Sequence, residues 1–188
     1  TYVAKYGVRI FKRAVISTVD NQGNRDALRL HYAGVKIIAI YDARPGGGGP
    51  SVDAVRAAGI PIQFGVTVLD TTSNEEGILK EVILKNLNTN EIFQTTVDLL
   101  AVSGGWTPIV DLATHIGIKP QWSEEHAAFL VKHSSDQLQT AGMLAGDFGG
   151  DDDPLVFFGP ALDAEQARYA YIDLQRDTTL HDLRRAVG

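Results

Sequence analysis

The sequence predicts an α/β fold: a Rossmann-like parallel sheet with helices, followed by an antiparallel meander. Three observations carry that expectation. Two runs rich in β-branched residues, Arg13–Val19 and Val35–Tyr41, flank a segment with helical spacing. Three more strand-like runs then follow, the last two joined by the turn-forming string Asn86-Leu-Asn-Thr-Asn90. Finally, the apolar run Leu99–Val102 ends abruptly in Ser103-Gly104-Gly105. Such a run reads as a buried parallel strand.

Each element has its own signal. Asp20-Asn21 is a candidate helix N-cap after the first strand. The helix is expected over Asn24–Ala33, with Ala27, Leu28, Leu30 and His31 as its buried stripe and Gly34 as its stop. Asp42-Ala-Arg44-Pro45 closes the second strand, and Gly46–Gly49 is expected to form a flexible surface loop. A second helix is expected over Ser51–Ala58, ended by Gly59, and a short strand over Pro61–Gly65. The meander is expected over Gly65–Leu69, Ile78–Leu84 and Glu91–Val97. Asp98–Ser103 then returns to the parallel sheet. This order is the layout of a nucleotide-binding domain of the FAD/NAD-linked disulfide-reductase type, with part of a second dinucleotide domain after it.

Beyond Pro108 a short helix is expected over Ile109–His115. In Gln139–Asp147 a strand is expected to run into Gly146-Asp147 at a helix start. Asp151-Asp-Asp153-Pro154 reads as a solvated acidic break. A strand from Ala170 and a capped helix from Thr178 or Thr179 close the chain, and no internal repeat is visible.

Composition narrows the function. The chain has 188 residues, 44% hydrophobic and 21% charged, as a globular protein should. A net charge of −6 argues against a general nucleic-acid binder. The absence of cysteine excludes disulfides, thiolate metal sites and thiol–disulfide chemistry. No apolar run approaches the roughly 20 residues of a membrane span, and no signal peptide is visible. A cytoplasmic location is therefore expected.

The junction Ser17–Gly23 is where a G-x-G-x-x-G fingerprint would stand, and it holds one glycine. Its backbone is not expected to cradle a pyrophosphate in the usual way. Asp20 would also set a negative charge where the phosphate belongs. Asp42, at the end of the second strand, sits where a ribose-binding acid belongs, or it pairs with Arg44. Ser103, Gly104 and Gly105 let a ligand approach the end of their strand, or they pack against a helix. Trp106-Thr107-Pro108 turns the chain out of that strand. Asp147 either contacts a cofactor hydroxyl or complements a helix dipole. The five histidines show no metal-ligand spacing, and no Ser lies in a G-x-S-x-G elbow. No catalytic residue and no metal site is expected.

Three stretches in order, "TYVAKYGV" with "YAGVKIIAIYDARP", "DLLAVSGGWTPIVDL" and "YIDLQRDTTLHDLRRAVG", resemble the alpha subunit of heterotetrameric sarcosine oxidase. The resemblance covers nearly the whole chain. Departures are the Gly46–Gly49 loop, the stretch Gly149–Pro160, and Asp147 where the family is expected to carry a smaller residue. The resemblance implies an internal piece of a longer subunit. Residues 1–103 would be an inserted NAD-type βαβ domain with a β-meander. Residues 104–150 would complete the first dinucleotide-binding domain, and 151–188 would lead toward an absent folate-binding, aminomethyltransferase-like domain.

It also implies oxidation of sarcosine to glycine, one-carbon transfer to tetrahydrofolate and formation of hydrogen peroxide. NAD would be the cofactor of this region, with Asp42, Ser103, Gly104, Gly105, Trp106, Pro108, Gly142, Gly146 and Asp147 as candidate contacts. FAD and FMN would lie mainly outside it, and beta, gamma and delta subunits would be its partners. On its own the segment is expected to be inactive. The competing readings are an NAD(P)H-linked flavoprotein reductase domain and a non-catalytic nucleotide-fold interaction scaffold.

Overall fold

The computed structural model describes residues 3, 6–123, 128–131, 138–148 and 162–163. The chain divides into two compact units. One comprises residues 1–104 with 154–188, the other residues 105–153.

The first unit is built on a four-stranded parallel sheet. Its strands are β2 (Arg13–Thr18), β3 (Lys36–Asp42), β4 (Ile62–Phe64) and β8 (Leu99–Ser103), in the order β4-β3-β2-β8. Helix α1 (Asn21–Tyr32) connects β2 to β3, and α2 (Pro50–Ala57) connects β3 to β4. Both strand–helix–strand units obey the sequence reading, with α1 starting three residues earlier than its apolar spacing suggests. Asp20 explains the early start. Its carboxylate accepts from the backbone N–H groups of Gln22 and Gly23, two amides that otherwise have no partner in the first turn. Gly34, at φ +89°, ends α1 in the left-handed conformation that glycine adopts cheaply.

Alternation along the strands loads both faces of the sheet. Ala14, Ile16 and Ile40 pack with Ala27, Leu28 and Val55 on the helical side. Val15, Ala39 and Tyr41 pack with Val66, Val82, Leu84 and Val97 on the other. The second set comes from the predicted meander: β5 (Val66–Ser73), β6 (Leu79–Asn86) and β7 (Ile92–Thr96), antiparallel in the order β5-β6-β7. Helices, parallel sheet and meander thus form three layers. The β6–β7 turn closes as its composition requires. Asn86 accepts from the N–H groups of Asn88 and Thr89, and Asn90 adopts φ 60°. A short parallel pair, β1 (Val8–Arg9) with β11 (Leu162–Asp163), belongs to the same unit.

One expectation is corrected here. Strand β8 is parallel to β2 as predicted, but among the described residues it lies at the edge of the sheet and is only partly buried, with Val102 69% exposed. An apolar run records what a strand could bury, and an edge strand has only one hydrogen-bonded neighbour. The tetraglycine loop Gly46–Gly49 is exposed, as expected of a surface loop. A Cβ at Gly47 would fall 2.7 Å from the Phe64 ring.

The second unit holds helix α3 (Asp111–His115) and the hairpin β9 (Gln121–Ser123) with β10 (Ala128–Leu130). Trp122 and Phe129 face each other across the hairpin with ring centroids 5.2 Å apart. The strand expected to end at Gly146 is absent. Gly142–Ala145 forms a 3-10 turn instead, held by the Val131 N–H donating to the Leu144 carbonyl. The acidic break and the closing strand and helix lie outside the described residues.

Candidate functional site

Register brings the candidate residues to one edge of the parallel sheet. Thr18 at the end of β2 lies opposite Asp42 of β3 and Ser103 of β8, and Asp42 lies opposite Phe64 of β4. These four residues form the C-terminal row, the side on which open α/β sheets bind ligands.

At the centre of the row, donors converge on one carboxylate oxygen. Asp20 Oδ1 accepts from Gln22 N–H at 3.1 Å, Gly23 N–H at 3.3 Å and Ser103 Oγ at 2.9 Å. Thr18 is buried beneath. It receives the Asp20 N–H on Oγ1 at 3.1 Å, and its own hydroxyl lies 2.8 Å from the Asp20 carbonyl. The glycine of this turn serves that packing. A Cβ at Gly23 would fall 2.3 Å from Thr18 Oγ1, so only glycine lets α1 approach β2 so closely. The Val19 N–H donates to the Ser103 carbonyl and fastens the end of β8 to the same turn.

Asp42 lies one strand away, fully buried, and pairs with Arg44. Arg44 Nε donates to both carboxylate oxygens at 3.0 and 3.1 Å, and Nη2 donates to Oδ2 at 2.6 Å. The Arg44 backbone N–H adds a bond to Oδ1 at 2.9 Å. Such a fork of charged donors stabilises a buried carboxylate. The same guanidinium reaches across to α1, where Nη2 donates to Asn21 Oδ1 at 2.8 Å.

The other candidates are distributed differently. Gly104 follows Ser103 directly, and a Cβ there would meet nothing within 4 Å. Gly105 (φ 88°), Trp106 (exposed), Pro108 (buried), Gly142 (φ 61°), Gly146 (φ 98°) and Asp147 (exposed) belong to the second unit. The Asp147 N–H donates to the Gly142 carbonyl, closing the 3-10 turn, so Asp147 follows that turn. The helix start expected just beyond lies outside the described residues. Of the expected contacts, only Ser103 and Asp42 share the row.

Sequence reasoning missed Asp98, whose carboxylate accepts from the backbone N–H groups of Lys12 and Arg13 at 3.1 and 2.6 Å. It closes the start of β2 against the start of β8, and an acid just before an apolar strand was its one signal. It also missed the reach of Arg44 to Asn21. Among the described residues no group of three or more His, Asp or Glu side chains could hold a metal ion.

Known proteins resolve what this arrangement belongs to. No family model matches the chain. Sarcosine oxidase subunit alpha of Rhizobium meliloti is 35% identical over 79% of the chain. The chain belongs to the sarcosine oxidase alpha-subunit family. The same subunit of Corynebacterium sp. strain P-1 is 28% identical over the whole chain. The chain spans only 14% and 24% of the lengths of these two relatives. Among solved structures, the bacillithiol disulfide reductase of Staphylococcus aureus superposes with a TM-score of 0.53 at 20% identity, over 79% of this chain and 46% of its own. Thioredoxin reductase of T. acidophilum gives 0.50 at 18% identity, over 58% of this chain and 36% of its own. The sarcosine oxidase alpha segment therefore has the disulfide-reductase fold that its element order predicts. It does so without any cysteine, so the fold is present and thiol chemistry is not.

Proposed function

We propose that this chain is the nucleotide-fold region of an alpha subunit in a multisubunit sarcosine oxidase. The reaction of the whole enzyme would convert sarcosine to glycine. The methyl carbon passes to tetrahydrofolate, and the two electrons and two protons removed reduce oxygen to hydrogen peroxide. The single observation that supports this reading is the likeness to sarcosine oxidase subunit alpha over 79% of the chain. No helix among the described residues is long and apolar enough to cross a membrane. A cytoplasmic complex with beta, gamma and delta subunits fits that picture. FAD, FMN and the tetrahydrofolate site would lie mainly on other parts of the assembly.

Within this reading the chain contributes backbone to an NAD site through Ser103, Gly104 and Gly105, with Trp106, Pro108, Gly142, Gly146 and Asp147 as further candidates. The space around Gly104 supports it, because a ligand could approach that backbone without displacing a side chain. The test is the NAD content of the purified complex carrying Gly104→Val. Loss of NAD with an unchanged melting temperature agrees with the proposal. Full retention of NAD removes residues 103–105 from the site.

A second reading, a nucleotide fold used as an interaction scaffold, is favoured by one observation. The polar groups of the C-terminal row are spent on one another.

A further inference from the structure

The β2–α1 turn is the position at which a sheet of this topology holds a dinucleotide. Backbone amides of the helix's first turn bind the pyrophosphate, glycines let it come close, and an acid at the end of the next strand binds the ribose. The amides, a single glycine and the acid are present here, and each is already used by the chain. The amides of Gln22 and Gly23 donate to Asp20 Oδ1. The close approach permitted by Gly23 is filled by the Thr18 side chain. The acid, Asp42, is fully buried and held by three guanidinium bonds from Arg44. Arg44 itself is tied to Asn21, the first residue of α1, so the strap runs from the second strand to the helix start.

Charge points the same way. A phosphate entering the turn would have to displace a carboxylate that accepts from the Gln22 and Gly23 amides, from the Thr18 hydroxyl and from Ser103 on a third strand. It would otherwise sit beside that carboxylate and meet its repulsion. The residues of the turn do not fit a dinucleotide.

We propose that Asp20 is the resident anion of this turn: its carboxylate takes the seat that a pyrophosphate occupies in nucleotide-binding sheets. The β2–α1 turn then seats no pyrophosphate. Any dinucleotide of the complete subunit, including one that touches the backbone of Ser103–Gly105, has its pyrophosphate seated away from this turn. This inference stands on the turn's geometry and does not rest on the sarcosine oxidase reading.

The test uses the complete alpha subunit in its complex. NADH and NADPH are titrated, following nucleotide fluorescence, into the natural protein and into Asp20→Asn and Arg44→Gln. Dissociation constants within twofold of one another, and the same bound stoichiometry, are expected. A tenfold loss in either variant at an unchanged melting temperature would overturn the proposal, as would a second dinucleotide per natural subunit. A complex that binds no dinucleotide at all would sink the NAD site proposed above and agree with this inference.

The vacated seat gives the positive arm. In Asp20→Gly, potassium phosphate at about 50 mM should raise the melting temperature several degrees above potassium chloride of equal ionic strength, with no such difference in the natural protein. An equal response in both proteins, or none in Asp20→Gly, would show that Asp20 does not occupy an anion seat. Should Asp20→Gly not fold, the binding arm on the two milder variants decides.

Discussion

Ser103 Oγ donates to Asp20 Oδ1 at 2.9 Å, joining two residues 83 positions apart. That bond makes the start of α1 and the end of β8 one polar unit, so changes on either side are felt on the other.

Gly23→Ala is expected to destabilise the fold by about 1–3 kcal/mol, the usual cost of overpacking. The new Cβ would sit 2.3 Å from Thr18 Oγ1 and 2.4 Å from Thr18 Cβ. Because the second contact survives, adding Thr18→Ala should recover only part of the loss. Urea unfolding of the single and double variants measures both; full recovery would mean that the helix can shift.

Arg44→Met should cost about 3 kcal/mol, at the low end for breaking a buried pair, because the Arg44 backbone N–H still serves the carboxylate. Most of that loss is the penalty of stranding Asp42. The double variant Asp42→Asn with Arg44→Met should therefore be more stable than Arg44→Met alone. Equal or lower stability in a double-mutant cycle would contradict this.

Gly104 and Gly105 should respond differently. Gly104→Ala meets open space and should change stability by less than about 0.5 kcal/mol. Gly105 has φ 88°, so Gly105→Ala should cost about 1 kcal/mol or more through backbone strain. Thermal melts compare them, and equal losses would disprove the assignment of strain to Gly105.

Leu84→Ala should cost about 2–5 kcal/mol, since Leu84 is fully buried between β6 and the parallel sheet. Leu69→Ala, at a residue 54% exposed, should cost far less. Comparable losses would place the meander's packing face elsewhere.

The fold was legible where periodicity and punctuation agree. The two β-branched strands, the helices stopped by Gly34 and Gly59, and the turn at Asn86–Asn90 all follow from local chemistry. The site was legible only in part. Asp20 reads in sequence both as a cap and as a charge that spoils a phosphate seat, and the structure makes these the same fact. That Asp42 pairs with Arg44 was one of two open readings, because a two-residue spacing allows the pair without requiring it. Burial of β8 was misjudged because an apolar run does not say how many neighbours a strand has. The strand expected before Asp147 gave way to a 3-10 turn, with positive φ at Gly142 and Gly146. Two glycines so close leave an extended segment little to hold it. That a Cβ at Gly47 would crowd the Phe64 ring at the end of β4 has no local signal in the sequence.

Strand β8 has a kinetic consequence. It reaches β2 only after α1, β3, α2, β4 and the whole meander have intervened, with the first bond between Asp98 and Arg13 spanning 85 residues. Closing so long a loop costs entropy before any strand pairing compensates. The helical layer and the hairpins can assemble from near neighbours, while the outer strand must wait. Until it docks, β2 has an open flank and Asp20 lacks its Ser103 partner. The last strand to join the parallel sheet thus also completes its central polar cluster, so a nascent chain that ends before Ser103 would present an unfinished sheet edge to its surroundings.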